Sequence, residues 1–131
     1  MKESQSKFIE VRGLKYHCRT WGDEGAPKLF MLHGFQDVSA SWQFTVDALQ
    51  RDWHVIAPDW RGYGLTEWAH ADNYWFLDLL GDLDVILDEF EPDLPVALVE
   101  HSMGANAAAL YAGAKPRRIR KRSEEHTSEL Q

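Results

Sequence analysis

Cysteine is almost absent. Cys18 stands alone among 131 residues, which excludes an internal disulfide framework and a cysteine-based zinc site. Long apolar runs are missing too: no stretch approaches the ~20 consecutive apolar residues of a membrane-spanning helix. The opening Met1-Lys2-Glu3-Ser4-Gln5-Ser6-Lys7 lacks the apolar run of a secretion signal. These absences predict a cytoplasmic protein with no membrane partner. Positive charge is scarce over most of the chain, where residues 1–114 carry 8 basic and 18 acidic side chains. The other six bases all lie between Lys115 and Arg122, and the whole chain carries a net charge of −7. Such a stretch reads as an anion-binding patch or as the end of a surface helix and its loop. The acidic body would repel phosphate, so nucleic acid is not the expected partner. No residue pattern points to a metal or an organic cofactor.

What is present is enough apolar content, 44%, for the core of one domain. Phe8–Val11 and Leu14–Arg19 flank Gly13 and predict a hairpin. Lys28–His33 is a continuous apolar run ending at Gly34, as a strand buried on both faces requires. Ser41–Gln50 reads as a helix, and Trp53–Ala57 as a second buried strand stopped by Pro58. Between Asn73 and Phe90 the period is clearest. Phe76, Leu79, Leu80, Leu83, Ile86, Leu87 and Phe90 fall on one helical face, and Asp78, Asp82 and Glu89 are expected on a solvated one. Val96–Val99 starts a third buried strand, and Met103–Ala114 a last helix. Alternating strands and helices predict an α/β fold with a mostly parallel, doubly wound sheet. The tryptophans Trp21, Trp42, Trp53, Trp60, Trp68 and Trp75 are expected mainly in the core.

The chemistry gathers where the third buried strand meets the last helix, in Leu98-Val99-Glu100-His101-Ser102-Met103-Gly104. A strand turning sharply into a helix lifts Ser102 to the apex of a nucleophile elbow. The next backbone N–H groups sit at a helix N-terminus and favour negative charge on a bound carbonyl oxygen. The same serine also reads as a helix N-cap. His33-Gly34-Phe35 ends the first buried strand, where a further backbone N–H is available to complete an oxyanion hole.

Taken in order, HGF, PDWRGYG and HSMG resemble the α/β-hydrolase superfamily, most of all its serine esterase or lipase-like members. The resemblance runs from Phe8 to Lys121. It implies that Ser102 is the nucleophile and that the backbone N–H groups of Met103 and Phe35 form the oxyanion hole. His33 and Gly34 would shape the turn that borders the hole, while Asp59, Arg61 and Gly64 belong to a structural loop. His101 would point away from the position of the catalytic base. A serine at the elbow, in place of the carboxylate that dehalogenases and epoxide hydrolases use, implies acyl transfer from a small-molecule ester to water through an acyl-enzyme. The chain as given is expected to be inactive without a triad acid and histidine; non-catalytic ligand binding on the same fold, or an assembly artefact with no role of its own, are the alternatives.

Two departures stand out. The first glycine of the G-x-S-x-G pattern is Glu100, which would bring a costly buried carboxylate beside the nucleophile if it were unpaired. Glycine and glutamate codons differ by one base, so Glu100 reads either as divergence or as a single-base error. The triad is also incomplete, because its acid and histidine should follow later strands. His126, between Glu125 and Glu129, lies too close in sequence to serve. Residues 122–131, Arg-Ser-Glu-Glu-His-Thr-Ser-Glu-Leu-Gln, match one reading frame of a short-read sequencing adapter. Residues 1–121 are therefore expected to be the N-terminal part of one hydrolase domain, followed by a non-native tail. The strand at Val96–Val99 is expected to present a bare apolar edge that favours aggregation. Resequencing the gene through codons 100 and 122 should show a frame running past Lys121 into further strands. A genuine stop after Gln131 would overturn the adapter reading.

Overall fold

A six-stranded mixed sheet carries helices on both faces. The computed structural model of the chain describes residues 1–125, so His126, Glu129 and the end of the tail lie outside the described residues. The strands are β1 (Ser4–Val11), β2 (Leu14–Trp21), β3 (Lys28–Leu32), β4 (His54–Pro58), β5 (Val96–His101) and β6 (Ile119–Glu125). The helices are α1 (Gln43–Ala48), preceded by a 3-10 turn at Ser39–Trp42, α2 (Phe76–Phe90) and α3 (Met103–Ala114). Strand order is β1-β2-β4-β3-β5-β6. The β1–β2 hairpin joins β4 antiparallel, and β4, β3, β5 and β6 run parallel. The parallel, doubly wound part of the expectation holds, with an antiparallel hairpin added at one side.

Alternation along the central strands divides the core between two layers. Phe30, Leu32, Ile56 and Leu98 face α2 and α3, where Leu83, Ile86, Leu87, Ala107 and Tyr111 cover them. Leu29, Met31, Val55 and Ala97 face the other way, toward Val46 of α1 and Trp21. Both faces of β3 and β4 are thus buried, which explains their unbroken apolar runs. The tryptophans divide differently from the expectation: Trp21 and Trp60 are buried, whereas Trp68 and Trp75 are exposed.

Two further expectations are corrected. The strand β5 has no bare edge, because β6 pairs with it in parallel from Val96↔Ile119 to His101↔Glu125. The polar residues of 122–125 thus continue a strand. An edge strand needs only backbone partners on one side and tolerates charged side chains, which also discourage edge-to-edge aggregation. Part of the basic stretch is spent internally: Lys115 pairs with Asp84 and Arg118 with Asp88. Arg118 also donates to the carbonyls of Glu91 and Leu94 beyond the end of α2.

The second correction concerns Asp82, which is fully buried rather than solvated. Arg61 grips its carboxylate with two N–H groups, Nε at 2.6 Å and Nη2 at 2.7 Å. Tyr16 Oη donates to the same carboxylate at 2.7 Å, and Arg12 reaches it from the hairpin turn at 3.2 Å. Tyr16 Oη in turn accepts from the Arg61 backbone N–H. Burial, followed by the Asp82 charge, raises the Tyr16 pKa well above that of an ordinary tyrosine, so its proton stays as a donor. Removing one member of a buried pair leaves the other charge stranded. Asp82→Ala should therefore cost about 3–5 kcal/mol in urea unfolding. Asp88→Ala, at the half-exposed Arg118 pair, should cost under about 1 kcal/mol.

Candidate active site

The turn between β5 and α3 is a single residue. Ser102 has φ 51° and ψ −111°, a conformation that a side chain makes costly. Its hydroxyl makes no capping hydrogen bond to α3, so the N-cap reading fails and the side chain is left half-exposed. Such strain persists only where the surroundings enforce it. Here they do so by close backbone approach. A Cβ at Gly104 would lie 2.5 Å from the Leu32 carbonyl oxygen and 2.7 Å from that of His33. One at Gly34 would lie 2.7 Å from His101 Nδ1 and 3.1 Å from Ser102 Cβ. Two glycines therefore let the end of β3 and the start of α3 lie against each other, with Ser102 held between them.

This packing sets out the remaining predicted residues. Met103 opens α3, and its N–H is among the first of a helix, without a partner four residues back. Phe35 follows Gly34 directly, and Gln36 after it takes a positive φ of 57°. Phe35, Ser102 and Met103 share one hollow of about 360 Å3 with Tyr74, Phe76, Leu79 and Asn106. Its lining is mostly apolar. Tyr74 and Phe76 come from the segment leading into α2, and neither was singled out as a site residue from the sequence. Their signal there was only an aromatic cluster ahead of a helix.

His33 is buried and serves the turn rather than a substrate. Its Nδ1 lies 2.7 Å from the Gly34 carbonyl, and its Nε2 accepts the Trp60 backbone N–H at 3.0 Å. These partners assign the Nδ1–H tautomer. Trp60 Nε1 donates to the His33 carbonyl, closing the loop. Burial pushes the His33 pKa below the ordinary value, which keeps the ring neutral. With both nitrogens engaged, His33 has no free position for a base. His101 lines a different hollow, with Asp37, Ser41 and Trp42, as its expected direction requires. Among the described residues, no histidine is hydrogen-bonded to Ser102.

The loop after β4 is structural. Asp59 accepts from the Ser39 N–H at 2.7 Å, from Leu65 N–H at 3.2 Å and from His17 Nδ1 at 2.7 Å. Burial raises its pKa, but these hydrogen bonds outweigh burial and hold the carboxyl below its usual range. Gly64 has φ +50°, and a Cβ there would lie 2.4 Å from the Asp59 carboxyl carbon. Glu100 is also buried, and the cost expected for it is offset by an ion pair: Arg122 Nη2 and Nε donate to Oε1 at 2.7 and 3.0 Å.

Comparison with known proteins agrees with this architecture. The family of the alpha/beta hydrolase fold matches residues 27–121. The chain belongs to that family. Human epoxide hydrolase 4 is 33% identical over 114 residues, covering 86% of this chain and 31% of that protein. Epoxide hydrolase A of Mycobacterium tuberculosis is 33% identical over 112 residues, covering 81% of this chain and 34% of that protein. The chain thus spans about a third of these relatives. Among solved structures, epoxide hydrolase A from Mycobacterium thermoresistibile superposes with a TM-score of 0.84 at 28% identity, covering 93% of this chain and 39% of that one. The thioesterase domain from the curacin biosynthetic pathway gives 0.86 at 27% identity, covering 98% and 50%.

The close approach at Gly104 carries a direct expectation. Gly104→Ala should force α3 away from β3 and lower stability by about 1–3 kcal/mol. Gly113→Ala, in the same helix with open space around the added methyl, should instead stabilise by up to about 1 kcal/mol. Thermal unfolding of the two variants side by side reads the difference.

Proposed function

We propose that the longer protein to which this chain corresponds is a serine hydrolase that transfers the acyl group of a small-molecule ester to water. The observation that carries this reading is Ser102 itself, a hydroxyl nucleophile in a strained strand–helix turn at the start of α3. Its oxygen attacks the ester carbonyl, and the N–H groups of Met103 and Phe35 receive the charge that develops on the carbonyl oxygen. The alcohol leaves, and water then releases the acyl group. The apolar hollow of Phe35, Tyr74, Phe76, Leu79 and Met103 would take the acyl chain. The acid and the histidine of the triad are supplied, on this reading, by sequence beyond this chain. Without them only ~10³–10⁴-fold acceleration over water remains.

The epoxide hydrolases among the relatives favour a second reading, epoxide opening. The serine argues against it. Ring opening through a covalent ester uses a carboxylate at the elbow, and a hydroxyl there would give an ether that water cannot readily release. The thioesterase domain among the structural relatives supports acyl transfer instead. The test compares the longer protein with its Ser102→Ala variant on aryl acetates and on a styrene-type epoxide. Ester turnover should fall on the order of 10⁴-fold or more in the variant. Epoxide turnover that survives the substitution would favour the second reading.

A further inference from the structure

A second serine, remote from the elbow, already has a base and an acid. Ser6 Oγ lies 2.7 Å from His17 Nε2, and His17 Nδ1 lies 2.7 Å from Asp59 Oδ2. The hairpin register explains the first contact. Phe8 stands opposite His17 and Ser6 opposite Arg19, so Ser6 is the diagonal neighbour of His17 on the same face of the pair. The loop after β4 explains the second, since it returns Asp59 beneath β2, where its N–H donates to the His17 carbonyl.

The direction of each hydrogen bond follows from the acid. Asp59 accepts from the backbone N–H groups of Ser39 and Leu65 and is held ionised, so toward His17 it can only accept. His17 Nδ1 must therefore carry a proton. In the neutral ring Nε2 then presents a lone pair, and the Ser6 hydroxyl donates to it. His17 and Asp59 are buried, while Ser6 is exposed on the last strand of the sheet. Ser6 is thus reachable from solvent, with its relay buried behind it.

We propose that Ser6 is a second nucleophile, activated by His17 and Asp59, that accepts an acyl or phosphonyl group from an activated aryl ester. Ser6 Oγ bonds to the carbonyl carbon or phosphorus, and the bond to the aryloxide oxygen breaks. The hydroxyl proton passes to His17 Nε2 and from there to the departing aryloxide, which leaves as a phenol. Asp59 keeps its charge and holds the Nδ1 proton, and nothing is oxidised or reduced. Four strand positions separate β1 from β5, about 19 Å at the usual strand spacing. Ser6 therefore draws on nothing at Ser102. Because Ser6 lies within a strand and not at a helix start, no row of N–H groups converges on the new oxyanion. The product is a persistent adduct rather than rapid turnover.

The test treats the 131-residue chain with a 4-nitrophenyl alkylphosphonate and maps the adducts by peptide mass spectrometry. Ser4 is the internal reference, since it sits on the same strand and accepts from Arg19 with no histidine attached. Ser6 should react about 10²-fold faster than Ser4, and urea should abolish the difference. His17→Gln should bring Ser6 down to the Ser4 rate, and Ser6→Ala should remove this adduct while leaving any at Ser102. Equal rates at Ser6 and Ser4 in the untreated chain, or a Ser6 rate that urea does not change, would overturn the proposal. Neither comparison needs a variant to fold.

Discussion

The bidentate pair of Arg61 and Asp82 joins three parts of the chain. Through Tyr16 it reaches β2, through the Arg61 backbone it reaches the loop after β4, and through Asp82 it fixes the middle of α2. Arg61 Nη1 also donates to the Asn73 carbonyl at 2.8 Å, which sets the approach of the segment leading into α2. That segment brings Tyr74 and Phe76 to the hollow beside Ser102. A charge pair in the core is a weak source of net stability, because both ions lose water. Its value here is positional: an apolar substitute could pack, but it would not fix the direction of the Asn73–Phe76 segment.

Around the elbow the constraint is different in kind. Among the described residues, no side chain is hydrogen-bonded to Ser102 in its strained conformation. The work is done by backbone surfaces in contact, permitted by the missing methyl groups at Gly34 and Gly104. His33 and Trp60 then lock the turn from behind through a reciprocal exchange of hydrogen bonds. The buried histidine is neutral because burial opposes its charge, and that neutrality lets one ring nitrogen accept while the other donates. Ser102 is thus positioned by parts that, on the proposed reading, take no share in the chemistry.

Much of this was legible in the sequence, and the reasons for the misses are physical. The central strands announced themselves because both faces are buried, so apolar residues run without interruption. The elbow was legible only because HSMG follows HGF and PDWRGYG in order; a lone serine between an apolar strand and an alanine-rich helix reads equally as a helix cap. Asp82 was assigned to the wrong face because charge was weighed above spacing. It lies three residues after Leu79 and four before Ile86, which places it on the buried stripe, and Tyr16 and Arg61 were its unrecognised partners. The strand β6 escaped notice because an edge strand needs no apolar alternation. β1 was read too short for the same reason, since its first four residues, Ser4–Lys7, are polar yet fully paired with β2. The relay from Ser6 to Asp59 joins residues 53 positions apart in sequence, and no local pattern marks it.

The strain at Ser102 also ties the reactive group to the order in which the chain folds. A serine at the head of an isolated helix would relax into ordinary cap geometry and turn its hydroxyl onto the backbone. The outward-facing geometry comes into being only when β3 has docked beside β5 and the carbonyls of Leu32 and His33 press on Gly104. Assembly of the sheet therefore comes before the strained turn at Ser102. A nascent or partly unfolded chain carries the same residue without that geometry, so whatever reactivity the strained turn confers on the proposed nucleophile is confined to molecules that have already reached the folded state.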